Sequence, residues 1–362
     1  MKIVLLSSAA SIHTLQWAKE LKYKGIDVSV ISQHPPAENF PRNIPLYILP
    51  FTGFLGYFLN SIPLKKILKK ISPDLLNVHY ASGYGTTGRL ANYKPYVLSV
   101  WGSDVYDFPS KSFFHEYLIR RNLSSPTSIA STSLCMAEQT KAVQPSLQTI
   151  HITPFGVDID RFLSQKSNDE HITIGTVKTL ADKYGIDLLI NAFDILLKRL
   201  KQNNNKIYKS LRLRIVGSGP QEAELKTLVK QLHLESVTEF VGFVDHSQVP
   251  HELSKFDIYV ALSRLDSESF GVAIVEAQAV GIPVVVSAVG GLPEVVKNNI
   301  TGFVVDRENA FEASLAMEQL VLDERLRLSM GEAGRKHVER EFAWSTCTDK
   351  MIQVYQDAIN QG

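Results

Sequence analysis

Cysteine is nearly missing from the 362-residue chain, and its two examples, Cys135 and Cys347, lie far apart in no Cys-x2-Cys spacing. Neither a disulfide framework nor a zinc site is expected, and a reducing, cytoplasmic setting fits. Charge of one sign is missing too: 38 Lys and Arg against 37 Asp and Glu leave a formal net charge of +1. A nucleic-acid-binding surface normally shows a basic excess or stripe, so nucleic acid is not an expected partner. No apolar run reaches the roughly 20 residues that span a bilayer, and the opening MKIVLLSSAA is too short in apolar residues for a secretory signal. The composition, 44% hydrophobic and 21% charged, is that of an ordinary globular protein.

The length exceeds what one core usually supports and predicts two domains. Strand-like runs at Lys2 to Ser7, Asp27 to Ser32, Leu75 to Tyr80, Tyr96 to Trp101, Ser128 to Thr132 and Ile150 to Thr153 alternate with helical segments such as Ile12 to Tyr23. This is the grammar of a parallel sheet covered on both faces. A polar run, Ser164 to Glu170, has no apolar pattern and is the best linker. The grammar then restarts, with strands expected at Ile172 to Val177, Leu211 to Val216, Glu239 to Val241, Ile258 to Leu262, Pro283 to Ser287 and Gly302 to Val305. The expected fold is therefore α/β, two tandem Rossmann-like doubly wound domains at 1–163 and 164–341, with a C-terminal helix at 342–362.

One stretch, Phe51 to Pro73, has four lysines (Lys65, Lys66, Lys69, Lys70), no acid, and apolar partners including Phe54, Leu55, Leu59 and Leu68. The default reading is a helix packing its stripe on the sheet; the second lays this face on a membrane surface.

Ligands of doubly wound sheets sit outside the carboxyl ends of strands, which directs attention to three loops of the second half. After Val177 come Lys178 and Lys183, two cations able to neutralise a diphosphate. After Val216 comes Gly217-Ser218-Gly219-Pro220, a tight turn lacking the third glycine of a dinucleotide fingerprint. The first loop of the chain, Ser7-Ser8-Ala9-Ala10-Ser11, has no glycine either, so a dehydrogenase reading gains nothing. The third loop is the strongest: Ser267-Glu268-Ser269-Phe270-Gly271-Val272-Ala273-Ile274-Val275-Glu276. Ser269 is expected to cap the following helix, with the amides of Gly271 and Val272 facing an anion. Glu276 lies inside an apolar helix, where a carboxylate is costly without a polar partner, and a ribose diol is one such partner.

At these residues the sequence resembles the retaining family-4 glycosyltransferases of the GT-B fold, whose Glu-x7-Glu hallmark is matched by Glu268 and Glu276. Phe155-Gly156-Val157-Asp158 with Arg161-Phe162 is similar to the family's interdomain segment, Phe240 to Val244 to its base-binding stretch, Gly290 to Glu294 to the segment after the donor helix, and Trp344 to Tyr355 to its crossover helix. The resemblance implies two domains facing across a cleft. It implies a hexosyl transfer from a nucleoside diphosphate sugar, UDP-linked, to a glycan or lipid-linked acceptor, without metal or other cofactor, as in polysaccharide biosynthesis. Glu276 would hold the ribose, Glu268 the donor sugar, Lys178 and Lys183 the diphosphate, and Phe270, Gly271, Val272, Gly242, Phe243 and Val244 the rest of the donor. On the acceptor side it points to Ala10, His13, His79, Trp101 and Asp104. The sequence departs from the family in three places: Lys178 stands where an arginine is usual, the first loop lacks paired glycines, and Trp101 replaces a common histidine.

Asp158 and Asp160 have the Asp-x-Asp spacing of a metal site in another transferase fold, but beside Gly156 they read as turn residues. His13 and His79, at strand ends, are candidates for acid–base groups or for structural histidines. A sugar-nucleotide epimerase, a glycan phosphorylase, or a non-catalytic nucleotide-sugar-binding partner would share the layout.

Overall fold

The computed structural model describes residues 1–163 and 170–361. The chain forms two compact units, one of Met1–Gly156 with Trp344–Gly362 and the other of Val157–Ala343. The changeovers thus fall at 156/157 and 343/344, against 163/164 and 341/342 from the sequence. Most of the polar run proposed as a linker, residues 164–169, lies outside the described residues.

In the first unit the strands are β1 (Lys2–Leu6), β2 (Asp27–Ser32), β3 (Leu46–Ile48), β4 (Leu75–His79), β5 (Tyr96–Val100), β6 (Ser128–Ser131) and β7 (Ile150–Ile152). They form one sheet in the order β3-β2-β1-β4-β5-β6-β7, and every pair is parallel. β4, β5 and β6 are buried along their whole length, which is why they read as continuous runs rather than alternating ones. β3 is the strand absent from the sequence reading: three residues between Pro45 and Pro50 are too few to show a period. The helices are α1 (Ile12–Tyr23), α2 (Gly53–Leu59), α3 (Ser61–Ile71), α4 (Gly83–Ala91), α5 (Phe113–Leu123) and α6 (Leu134–Val143).

The second unit has β8 (Ile172–Val177), β9 (Leu211–Val216), β10 (Thr238–Gly242), β11 (Ile258–Ala261), β12 (Val284–Ser287) and β13 (Gly302–Val305), ordered β10-β9-β8-β11-β12-β13 and all parallel. Its helices are α7 (Ile186–Gln202), α8 (Glu222–Gln231), α9 (Val249–Leu253), α10 (Val272–Ala279), α11 (Leu292–Val295), α12 (Ala310–Leu322) and α13 (Glu324–Glu341). The last helix, α14 (Trp344–Gln361), packs on α1, β4, β5 and β6 of the first unit. Buried Asn77 on β4 fixes it there, accepting from the Tyr355 hydroxyl at 2.7 Å while its own amide donates to Val97 O and Ser99 Oγ.

The stretch 51–73 divides into two behaviours. Leu64 and Leu68 of α3 are buried in the core, as the default reading expects. Phe54, Leu55, Leu59 and Ile62, in contrast, are 53%, 68%, 50% and 65% exposed. Among the described residues no helix is long and apolar enough to cross a membrane.

Candidate active site

In the second unit the strand order runs outward in opposite directions from β8 and β11. The loops leaving two such strands diverge to opposite faces of the sheet and leave a crevice between them. The β8 loop carries Lys178 and Lys183; the β11 loop carries Glu268 and leads into α10. Across the crevice Lys178 Nζ meets Glu268 Oε1 at 2.7 Å, with both side chains nearly buried. Burial opposes the charge on Lys178, but Glu268, Tyr259 and Tyr184 more than offset this and raise its pKa, so it stays protonated. Lys183 follows further along the same loop, and its ammonium is 3.4 Å from Ser267 Oγ. Both ammonium groups sit over the Tyr184 ring, 4.8 and 5.0 Å from its centre. The difference between them is the counter-charge: among the described residues Lys178 has a carboxylate partner and Lys183 has none.

Backbone contacts hold these loops. Gly217, at φ 138°, lies so close beneath Lys178 that an added Cβ would be 1.9 Å from the Lys178 carbonyl oxygen. The Gly-x-Gly turn therefore supports the lysine loop, as a tight turn does. Arg264, which the sequence reading passed over, clamps the same loop with two bonds to Asp187, at 2.8 and 2.6 Å, and one to the Asp182 carbonyl. Asp158 is a turn residue, its Oδ1 accepting from the amides of Asp160 and Arg161.

Helix α10 has Gly271 at its N-cap, at φ 86° and with no side-chain cap hydrogen bond. Ser269 therefore does not cap it, contrary to the expectation: the left-handed turn at Gly271 places glycine itself at the N-cap. A Cβ on Gly271 would also lie 2.8 Å from the Leu292 side chain. The first amide of the helix with a backbone partner is that of Ile274, to Gly271 O, which leaves those of Val272 and Ala273 directed out of the helix end. Phe270 is buried, in edge contact with Phe342.

Glu276 is 7% exposed, and its polar partner is His246, whose Nε2 lies 2.8 Å from Glu276 Oε1. Arg161 contacts the other side of that imidazole, with Nη1 at 3.4 Å from Nδ1, and Nη2 also donates to the His246 carbonyl. Arginine can only donate, so His246 Nδ1 accepts and the ring proton sits on Nε2, facing the carboxylate. Neither residue of this Arg161–His246–Glu276 chain except Glu276 was a candidate from the sequence. Their separation along the chain conceals the contact. Gly242 ends β10, with Phe243 and Val244 after it, beside the turn at Gly217: Gly217 N donates to Gly242 O at 2.8 Å, and Phe243 is 78% exposed. Among the described residues no group of three or more His, Cys, Asp or Glu could hold a metal ion.

In the first unit the reversal of strand order falls between β1 and β4. A cavity of about 400 Å³ lies there, lined by His13 and Trp101 together with Tyr57, Tyr80, Tyr84 and Phe155, and by serines of the β1 loop. Ala10 is exposed and does not line it. His79 and Asp104 need correcting as acceptor contacts, since both are wholly buried. His79 donates from Nε2 to Asn77, and burial, with His13 second, depresses its pKa to about 3, so it is a neutral core histidine. Asp104 binds the amides of Ala81 and Gly102 at 2.7 and 2.8 Å and so ties the loops after β4 and β5 together.

Family models match both halves of the chain: glycosyl transferase 4-like over residues 2–133, and glycosyl transferases group 1 over residues 159–337. The chain belongs to the GT-B glycosyltransferases. Relatives of this GT-B glycosyltransferase include an uncharacterized glycosyltransferase of Methanocaldococcus jannaschii, 24% identical over 360 residues and covering 96% of this chain and 94% of that one. Another is the N-acetyl-alpha-D-glucosaminyl L-malate synthase of Bacillus anthracis, 26% identical over 313 residues, covering 81% and 77%. The Anabaena protein HepE, solved in complex with UDP, has the same fold at TM-score 0.81 and 17% identity, over 99% of this chain and 100% of that one.

Proposed function

We propose that the protein transfers a hexose from a UDP-sugar to an acceptor hydroxyl with retention of anomeric configuration and without a metal ion. The observation that carries this reading is the convergence, at one strand reversal, of Lys183, which has no carboxylate partner among the described residues, of α10, which has no side-chain cap, and of a buried Glu276. Lysine and free helix amides together suit a diphosphate. Glu276 suits the ribose diol, which would take the place of the His246 N–H. Gly242, Phe243 and Val244 would lie along the base and Phe270 would back the donor helix; the UDP in the HepE structure supports a uridine base.

Retention follows if the acceptor oxygen enters on the face from which the diphosphate leaves. The bond from the anomeric carbon to the diphosphate oxygen breaks, the bond to the acceptor oxygen forms, and the acceptor proton passes to the departing phosphate. No separate enzymatic base is needed. The work of the protein is positioning and charge stabilisation, with Glu268 and Lys178 against the sugar and Lys183, Gly271 and Val272 against the phosphates. Proton NMR of the first-formed product tests this: an inverted centre would require a base that the role assignments do not contain.

The acceptor belongs to the first unit and is a glycan or lipid-linked saccharide, as in polysaccharide biosynthesis. The exposed Phe54, Leu55, Leu59 and Ile62 beside Lys65, Lys66, Lys69 and Lys70 favour a site of action at the cytoplasmic surface of an anionic bilayer. Co-sedimentation with vesicles containing phosphatidylglycerol, but not with pure phosphatidylcholine vesicles, is the expected result.

A further inference from the structure

Glu276 already has a donor within the protein. It lies in the second turn of α10 among Ile274, Val275 and Ala277, all buried, where a carboxylate without a hydrogen bond is costly. The donor is His246, whose Nε2 meets Oε1 at 2.8 Å. A carboxylate only accepts, so a hydrogen lies on Nε2 whichever charge the ring carries. This histidine belongs to a short 3₁₀ turn, His246–Gln248, between β10 and α9.

The two partners are held to different degrees. Glu276 is fixed in a buried helix, whereas the His246 side chain is 37% exposed. The backbone of the turn is well anchored: the His246 carbonyl accepts from Arg161 Nη2, and Asp245 Oδ1 accepts from the Ser247 amide at 2.8 Å. The imidazole has looser neighbours, with Arg161 Nη1 at 3.4 Å from Nδ1 and the Phe162 ring tilted at 6.2 Å between centres. Rotation of the side chain therefore takes the ring off Glu276 without moving the turn, and exposed side chains make such rotations within picoseconds to nanoseconds. Gly242, Phe243 and Val244 precede His246 in the same loop, so a base lying along them brings its ribose to the oxygen that the imidazole holds.

We infer that His246 is an internal competitor for the nucleotide ribose: it gives up its hydrogen bond to Glu276 when a nucleotide arrives and restores it when the nucleotide leaves. The inference rests on the assignment of Glu276 to the ribose diol. His246 acts through Glu276 and not on the reacting atoms. Donor and product both break one charge-assisted hydrogen bond before forming their own, so each binds less tightly than the same site would allow without the histidine. What is gained is release. A departing UDP does not leave an unpaired carboxylate inside an apolar helix, and this lowers the free energy of the step that frees the enzyme for another turnover.

Calorimetric titration of the full chain with UDP tests this. Water takes over part of the position that the imidazole vacates, so His246→Ala should bind UDP about three- to tenfold more tightly than wild type. The UDP inhibition constant in transfer assays should fall by the same factor while kcat does not rise. His246→Gln, whose side-chain amide keeps an N–H near the place of Nε2, should return the affinity to near that of wild type. 2′,3′-Dideoxy-UDP has no hydroxyl for Glu276 and should bind wild type and His246→Ala equally, whereas a merely loosened loop would alter both nucleotides alike. Unchanged or weaker UDP binding in His246→Ala, or a tightening that dideoxy-UDP shares, overturns this inference while Glu276→Ala still weakens UDP. Binding of UDP that is insensitive to Glu276→Ala overturns the ribose assignment, and this inference with it.

Discussion

Both units open a crevice where strand order reverses, between β1 and β4 in one and between β8 and β11 in the other, yet the side chains at the two crevices differ in kind. The second is charged, with Lys178, Lys183, Glu268 and Glu276 within one loop system; the first is aromatic and uncharged. Each contains a histidine with a partner on Nδ1, Tyr84 for His34 and Arg161 for His246. In the charged crevice the other ring nitrogen meets the Glu276 carboxylate, whereas the aromatic cavity has no acidic or basic lining residue other than its histidines. One topology thus serves two chemistries, because the sheet fixes where a ligand sits and the loops fix what it can be.

The largest effect should come from the charged crevice. Lys183→Ala is expected to lower kcat/KM by about 10²–10³ with little change in stability, since among the described residues the ammonium has no carboxylate partner to leave behind. Lys178→Met should reduce turnover as well and also destabilise the fold by about 3 kcal/mol, because Glu268 is then nearly buried without a counter-charge. Steady-state kinetics beside urea denaturation resolve the two. Wild-type turnover in Lys183→Ala would remove the contrast between the lysines. A step below this, Glu276→Ala should weaken UDP binding about tenfold to hundredfold, the scale of one or two hydrogen bonds to a charged group, as read by calorimetry. Unchanged affinity would mean that His246 is the lasting partner of Glu276.

How far these crevices are legible in the sequence differs between them. The strands of both sheets, apart from the three-residue β3, follow from their apolar runs, and the charged crevice is local in sequence: Glu268, Gly271 and Glu276 fall within nine residues. The aromatic crevice is assembled from residues as distant as His34, Tyr57, Tyr84 and Trp101, and no spacing rule joins them. His13 and His79 stand out by their nearness to strand ends, Trp101 and Asp104 through the family resemblance, yet His13 and Trp101 line the cavity while His79 and Asp104 are buried. Strand-end position alone does not say which way a side chain faces. Ser269 misleads for a related reason, since a serine just ahead of a helix resembles a cap, but here it lies three residues before Val272 and the left-handed Gly271 takes the N-cap.

His79 offers a smaller test, on the aromatic side. The unfolded chain takes up its proton near the ordinary value of 6.5, whereas the folded protein resists until about pH 3, because burial and His13 disfavour the charge. This contribution is complete above pH 6.5 and drains as pH falls; between pH 6.5 and 5 the loss is about 2 kcal/mol. In His79→Gln the pH dependence of the denaturation midpoint should flatten over that interval. An equal slope in both proteins would place the titration elsewhere.

The smallest expected effect concerns metal removal, where the prediction is no change in wild-type transfer after treatment with a chelator. A leaving diphosphate needs positive potential at its oxygens, and a divalent ion is one way to provide it. Here Lys183 and the amides at the start of α10 occupy that role without reorganising, and Lys178, although paired with Glu268, adds a fixed charge nearby. The two sources of charge should therefore be interchangeable only when the protein's own is missing. Activity measured with and without the chelator in wild type and in Lys183→Ala reads this out: equal rates in wild type are expected, and partial recovery of Lys183→Ala by added Mg²⁺ would sharpen the assignment of Lys183 to the diphosphate. A wild-type enzyme that loses activity on chelation and regains it with Mg²⁺ would show that lysine and helix amides are not enough, and the charged crevice would then have to be redrawn around an ion.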